Sequence, residues 1–153
     1  MSTAGPSGPV RPFTGASTGC TVADPTGTGG CVTPAMAWLL NETTTVFGPM
    51  PTSCWDEHAW NPRSDHPRGK ACDVFPGRGG VLPSAEQKAR GDALAASLQT
   101  GAAQTGVSYL IWYGQQWSVA RADEGWRPYG GGGVYDPASV TGGHFDHVHI
   151  SVQ

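Results

Sequence analysis

Four cysteines in a chain with little else to build a core from constrain the fold more than any other feature. Cys20, Cys31, Cys54 and Cys72 are even in number, and no two stand in the Cys-x-x-Cys spacing of zinc ribbons and redox motifs. The chain has 153 residues, 38% hydrophobic and only 14% charged, with 23 glycines and 13 prolines. That composition allows a loop-rich domain with a small apolar core, so disulfides are expected rather than buried thiols. Three pairings exist. Cys20 with Cys31 and Cys54 with Cys72 are favoured, because sequence-local loops with Gly-rich or Pro-rich interiors close easily, each closure contributing roughly 3 kcal/mol in the loop-entropy model.

Disulfides imply an oxidising compartment, so a secreted, extracellular protein is expected, although Met1 to Val10 shows neither the basic nor the apolar region of a signal peptide. No apolar run approaches the ~20 residues of a membrane helix. The formal net charge is -3, and nine Lys and Arg form no basic cluster, which leaves no electrostatic footprint for nucleic acid or an anionic membrane. Neither is expected as a partner. The length suits one domain, and a monomer is expected.

Residues 1–30 are rich in Gly, Ser, Thr and Pro and read as an N-terminal segment pinned by a disulfide, leaving 31–153 as the folded domain. Thr33 and Pro34 start a helix with Met36, Leu39 and Leu40 as its apolar stripe, ending near the β-branched run Thr43 to Val46 before Gly48, Pro49 and Pro51. Ala71 to Phe75 is strand-like. Ser84 and Gln87 make a capping box for a second helix, with Leu94 and Leu98 four apart, closing near Gly101. Val107 to Trp112 and Gln116 to Val119 flank a turn near Gly114 and Gln115, which predicts a β-hairpin. Gly130 to Gly133 follow as a flexible loop, either a lid or a solvent loop. His147 to Val152 alternates as the last strand.

Three of the five histidines, His144, His147 and His149, fall within six residues, beside Asp146. In a strand His147 and His149 share one face, so two imidazoles converge there. Upstream, His66 and Asp73 are seven apart across a turn at Gly69 that lets them face each other. Imidazole and carboxylate together suit a metal whose catalytic sites take three protein ligands and leave one position open.

The segment Ser64, His66, Gly69, Ala71 and Asp73 reads Ser-x-His-x-x-Gly-x-Ala-x-Asp, and His147 with His149 reads His-x-His. With both marks in the same chain order, residues 50 to 153 resemble the zinc peptidases that group lysostaphin-type enzymes, D-alanyl-D-alanine metallopeptidases and hedgehog N-terminal domains. The closing run from His144 and the stretch from Ser108 to Trp112 resemble a secreted actinobacterial and fungal branch. The resemblance implies an α+β fold, a small antiparallel sheet carrying the ligands with helices packed on one side. It implies one Zn2+ per chain held by His66, Asp73 and His149, and makes 31–153 a zinc peptidase catalytic domain.

The same resemblance implies hydrolysis of peptidoglycan stem or cross-link peptides at a bacterial cell wall, by carboxypeptidase or endopeptidase action. The general base falls on Asp146 by similarity to the D,D-peptidases and on His147 by similarity to the murein endopeptidases. Strand periodicity favours His147, since Asp146 faces away from His149 unless the chain bends at Phe145. Ser64 is assigned to hydrogen bonding substrate and His144 to the rim of the site. No arginine among Arg63, Arg68 and Arg127 is singled out for the transition state. Two other classes stand beside this one: a binding module that keeps the zinc without catalysis, and a peptidase acting on ordinary protein. Closed four-ligand structural zinc fits poorly with cysteines committed to disulfides. Trp38 and Trp112 read as core, and Trp55, Trp60, Trp117 and Trp126 as groove candidates.

Overall fold

Which face of each strand is apolar decides where everything else in this molecule lies. The computed structural model describes residues 19–58 and 60–153; residues 1–18, most of the N-terminal segment, lie outside the described residues. A short hairpin of β1 (Val22–Ala23) and β2 (Cys31–Val32) leads into helix α1 (Pro34–Phe47) and strand β3 (Thr52–Ser53). Then come β4 (Ala71–Val74), helices α2 (Ala85–Thr100) and α3 (Ala102–Thr105), and strands β5 (Val107–Trp112), β6 (Gln115–Ser118), β7 (Arg127–Pro128) and β8 (Val148–Val152).

The last six of these strands form one antiparallel sheet in the order β3-β4-β8-β5-β6-β7, so the C-terminal strand sits between β4 and β5. All five residues of β8 are buried. Val148, Ile150 and Val152 join Cys72, Val74 and Leu110 in a core with Met36 and Leu39 of α1 and Leu94 and Leu98 of α2. His149 and Ser151 alternate onto the other face. The fold is therefore α+β, with helices covering one side of the sheet and polar residues on the other. It is stapled by Cys20–Cys31 and Cys54–Cys72, the pairing expected from the sequence, and no described cysteine is free. Among the described residues no helix is long and apolar enough to cross a membrane.

The helices follow their local signals. Thr33 Oγ1 accepts from the Met36 N–H at 3.2 Å, and α1 then runs through the β-branched residues expected to end it, stopping at Gly48. Burial of Met36, Leu39 and Thr43 along one face outweighs the weak helix propensity of threonine and valine. In α2 the Ser84–Gln87 capping box is complete. Gly91, in its interior, is where the Trp112 ring lands; a Cβ there would lie 2.3 Å from the indole.

The β5–β6 turn is Tyr113-Gly114, both at positive φ, so β6 begins one residue earlier than the sequence suggested. The glycine run expected as a flexible loop forms a 3-10 turn over Gly131–Gly133, with Gly131 buried. Trp117, a groove candidate by sequence, belongs to the core, because alternation along β6 turns it to the helix side.

Candidate metal centre

On the face of the sheet away from the helices lies a cleft of about 510 Å³, and all five histidines of the chain line it. Its floor is made by register. β4 and β8 place Asp73 opposite His149, and β5 places Ile111 on the other side of His149 and Tyr109 opposite Ser151. His66 comes from a 3-10 turn, His66–Arg68, ended by Gly69 at φ 71°, a left-handed position that suits glycine. Gly69 is also where the β1–β2 hairpin closes in: an added Cβ would meet Cys20 Sγ at 2.5 Å and the Cys31 carbonyl at 2.7 Å.

One carboxylate oxygen is the centre of the arrangement. Asp73 Oδ1 lies 3.4 Å from His66 Nε2, 3.1 Å from His149 Nδ1 and 3.7 Å from His147 Nε2. One ligand atom each from His66, Asp73 and His149 falls within 4.8 Å of the others, so these three residues can hold one metal ion. The outer ring nitrogens all have partners. His66 Nδ1 meets the Cys54 carbonyl, His149 Nε2 lies 2.8 Å from Ser151 Oγ, and His147 Nδ1 lies 2.7 Å from Asp146 Oδ1. These outer partners can each take a ring proton when a metal ion is bound, leaving the inner nitrogens to offer lone pairs to the ion, which is how protein metal sites fix the tautomer of their imidazoles.

The electrostatics agree with a cation site. Burial works against the Asp73 carboxylate, but hydrogen bonds with His149 and His66 outweigh it and hold the carboxyl well below its ordinary range. Burial lowers His149; at His66 burial is outweighed by Asp73, and the imidazole is raised. His144 is pushed down to about 3, by burial first and then by His147 and His149. It therefore stays neutral at ordinary pH, packed 4.3 Å from the His147 ring and edge-on to Tyr129, with its backbone at φ 59°.

Asp146 is not part of the cleft wall. Its side chain lies behind His147, and besides that ring it accepts from the Gly80 N–H at 2.7 Å and from the Thr141 hydroxyl at 2.9 Å. Burial opposes its ionisation, yet these bonds bring the carboxyl down to about 2. Ser64 is buried and lines the cleft, where its Oγ accepts from the His66 N–H at 3.2 Å. Of the three arginines left open by sequence, Arg63 lines the cleft, whereas Arg68 faces Asp65 at 3.4 Å. Of the groove tryptophans, Trp60 lines it.

Sequence reading missed several wall residues. His58 stacks on His66 at 4.7 Å and 7°, and Tyr109 stacks on His149 at 5.2 Å and 17°. Asn61 donates to the Tyr135 hydroxyl at 3.3 Å, joining the two lips. Only the alternation of β5 pointed to Tyr109, and His58 had no local signal beyond being the fifth histidine. The loop carrying the Cys54 carbonyl is itself anchored: Asp24 accepts from the Trp55 N–H at 2.9 Å, from Thr26 N–H and hydroxyl, and from the Thr28 hydroxyl, while Thr26 Oγ1 accepts from the Cys54 N–H.

A model of one protein family, described as VldE, C-terminal domain, matches residues 28–144. The match takes in His66 and Asp73 and stops short of His147 and His149. No protein of curated function and no solved structure matches the chain.

Proposed function

The chain belongs to the VldE C-terminal domain family, and from there, with the geometry of the cleft, we propose that it is a secreted zinc peptidase hydrolysing the stem or cross-link peptides of peptidoglycan. The observation that carries the reading is the set of three imidazoles around Asp73 Oδ1, each with its outer nitrogen tied to a protein partner. Nitrogen and carboxylate donors in an open cleft suit zinc, and three protein ligands leave a position free. His66, Asp73 and His149 would hold the ion. When bound, zinc lowers the pKa of water towards ~7 and polarises a carbonyl. The resemblance of the Ser64–Asp73 and His-x-His motifs to wall-cutting zinc peptidases supports the substrate class, and two disulfides support an oxidising location.

The chain's own groups divide the remaining work. His147 takes a proton at Nε2 and later delivers it to the leaving amine, while Asp146 at 2.7 Å orients the ring and stabilises the imidazolium. This makes His147 the general base and Asp146 the group that acts through it, with Thr141 and Gly80 fixing Asp146 in turn. Ser64 accepts from the His66 N–H, so its own hydrogen is free to donate to a substrate carbonyl. His144, neutral and buried, keeps the His147 ring in place.

Digestion of purified peptidoglycan and of a casein-like protein, each with and without chelator, tests the function. New amino termini from peptidoglycan alone, abolished by chelator and restored by zinc, are expected. Cleavage of the protein substrate instead would transfer the activity to ordinary peptides, and bound zinc without turnover on either would make the chain a binding module.

A further inference from the structure

The other face of the sheet carries a second recess that the peptidase reading does not use. Ile111 faces the cleft, and Trp112, one residue on, turns to the helix side and lines a trough of about 260 Å³ between α2 and the end of the β5–β6 hairpin. Asp92, Ala96 and Gln99 lie along one stripe of α2 and form one wall; Trp112, Tyr113 and Trp126 form the other. The alanines at 95 and 96 keep the trough open where a longer side chain would fill it.

Its polar groups are arranged in a particular way. The Trp112 indole N–H donates to Asp92 Oδ1 at 2.8 Å and the Trp126 indole N–H to Gln99 Oε1 at 3.0 Å. Both rings are thereby locked; Trp112 is buried in the core, so what remains for a ligand is the partly exposed ring face of Trp126 rather than an indole N–H. Lys88 Nζ lies 3.0 Å from Asp92 Oδ2 and 4.5 Å over the Tyr113 ring, so the one carboxylate of the trough has its counter-charge beside it. With both Asp92 oxygens taken by Lys88 and Trp112, the Gln99 amide nitrogen and Gln115 are the planar polar groups left in the lining. The rigid, partly exposed Trp126 face accepts the C–H side of a sugar ring, planar amides bond its hydroxyls, and balanced charge favours an uncharged ligand. The volume lies near the lower end of ligand sites, ~300 Å³, which suits one ring of a chain.

We propose that this trough binds a pyranose unit of an uncharged oligosaccharide. The site is separate from the metal ligands and goes beyond the peptidase reading without depending on it. The test is calorimetric titration of the full chain with the β-1,4 tetramer of N-acetylglucosamine and, separately, of glucose. Variants are Ala96→Phe, which fills the trough from an exposed position, and Gln99→Ala. Binding of either tetramer by the wild type, unchanged by chelator and weakened at least tenfold by Ala96→Phe, with a smaller loss in Gln99→Ala, is expected. Which tetramer binds shows whether the ring alone or its acetamido group is read. Failure of both to bind, or an Ala96→Phe variant of native circular dichroism that binds as the wild type does, would overturn the assignment.

Discussion

His147 and His149 stand two residues apart on the same face, yet their different partners give them different work. His149 reaches Asp73 through Nδ1, whereas His147 points Nε2 inward and rests Nδ1 on Asp146. Replacing His147 with Ala is expected to keep most of the metal and to lower turnover at least a hundredfold, in the range lost with a positioned proton carrier. Asp146→Asn is expected to cost roughly 10–100-fold in turnover with metal stoichiometry intact, as for outer partners of metal-site histidines. Equal loss of metal in the two variants, read by elemental analysis, would make His147 a ligand instead. Asp24 acts on stability: burial pushes its carboxyl up, but bonds from Thr26, Thr28 and Trp55 prevail and hold it below its ordinary value. Its contribution is thus full above an unfolded pKa near ~3.9 and is lost as pH falls through the lower folded value. Asp24→Asn should destabilise the protein by about 1–3 kcal/mol at neutral pH and flatten the acid limb of its unfolding profile.

At the scale of elements, what could be read from the sequence was local. Thr33, Ser84 with Gln87, and the alternation from His147 onward each encode their own element, because caps and strand faces depend on residues a few positions apart. What needed the structure was register. Nothing near Tyr109 says that it will stack on His149, and the partners of Asp146 include Gly80, 66 residues away. Likewise His58 reaches His66 through a loop whose path no periodicity specifies. Gly91 shows packing overriding propensity. Gly91→Ala improves helix propensity by about 1 kcal/mol, but the added Cβ meets Trp112, so a net loss of roughly 1–3 kcal/mol is expected in chemical denaturation. A gain in stability would mean that the indole moves aside freely.

For the molecule as a whole, the disulfide frame and the candidate metal centre are one construction. Cys72 immediately precedes Asp73, its partner Cys54 supplies the carbonyl that faces His66 Nδ1, and the Cys20–Cys31 hairpin rests on Gly69. Replacing Cys54 and Cys72 with Ser should therefore cost ~3 kcal/mol of stability and also weaken metal binding, whereas a frame independent of the site would lose stability alone. The measurement closest to the central claim is metal content by elemental analysis of the purified chain beside His66→Ala, Asp73→Ala and His149→Ala variants, each confirmed folded by circular dichroism. One zinc per wild-type chain, lost in all three variants, is the expected result. Folded wild-type protein that takes up no zinc, or keeps it after all three substitutions, would contradict the metal centre.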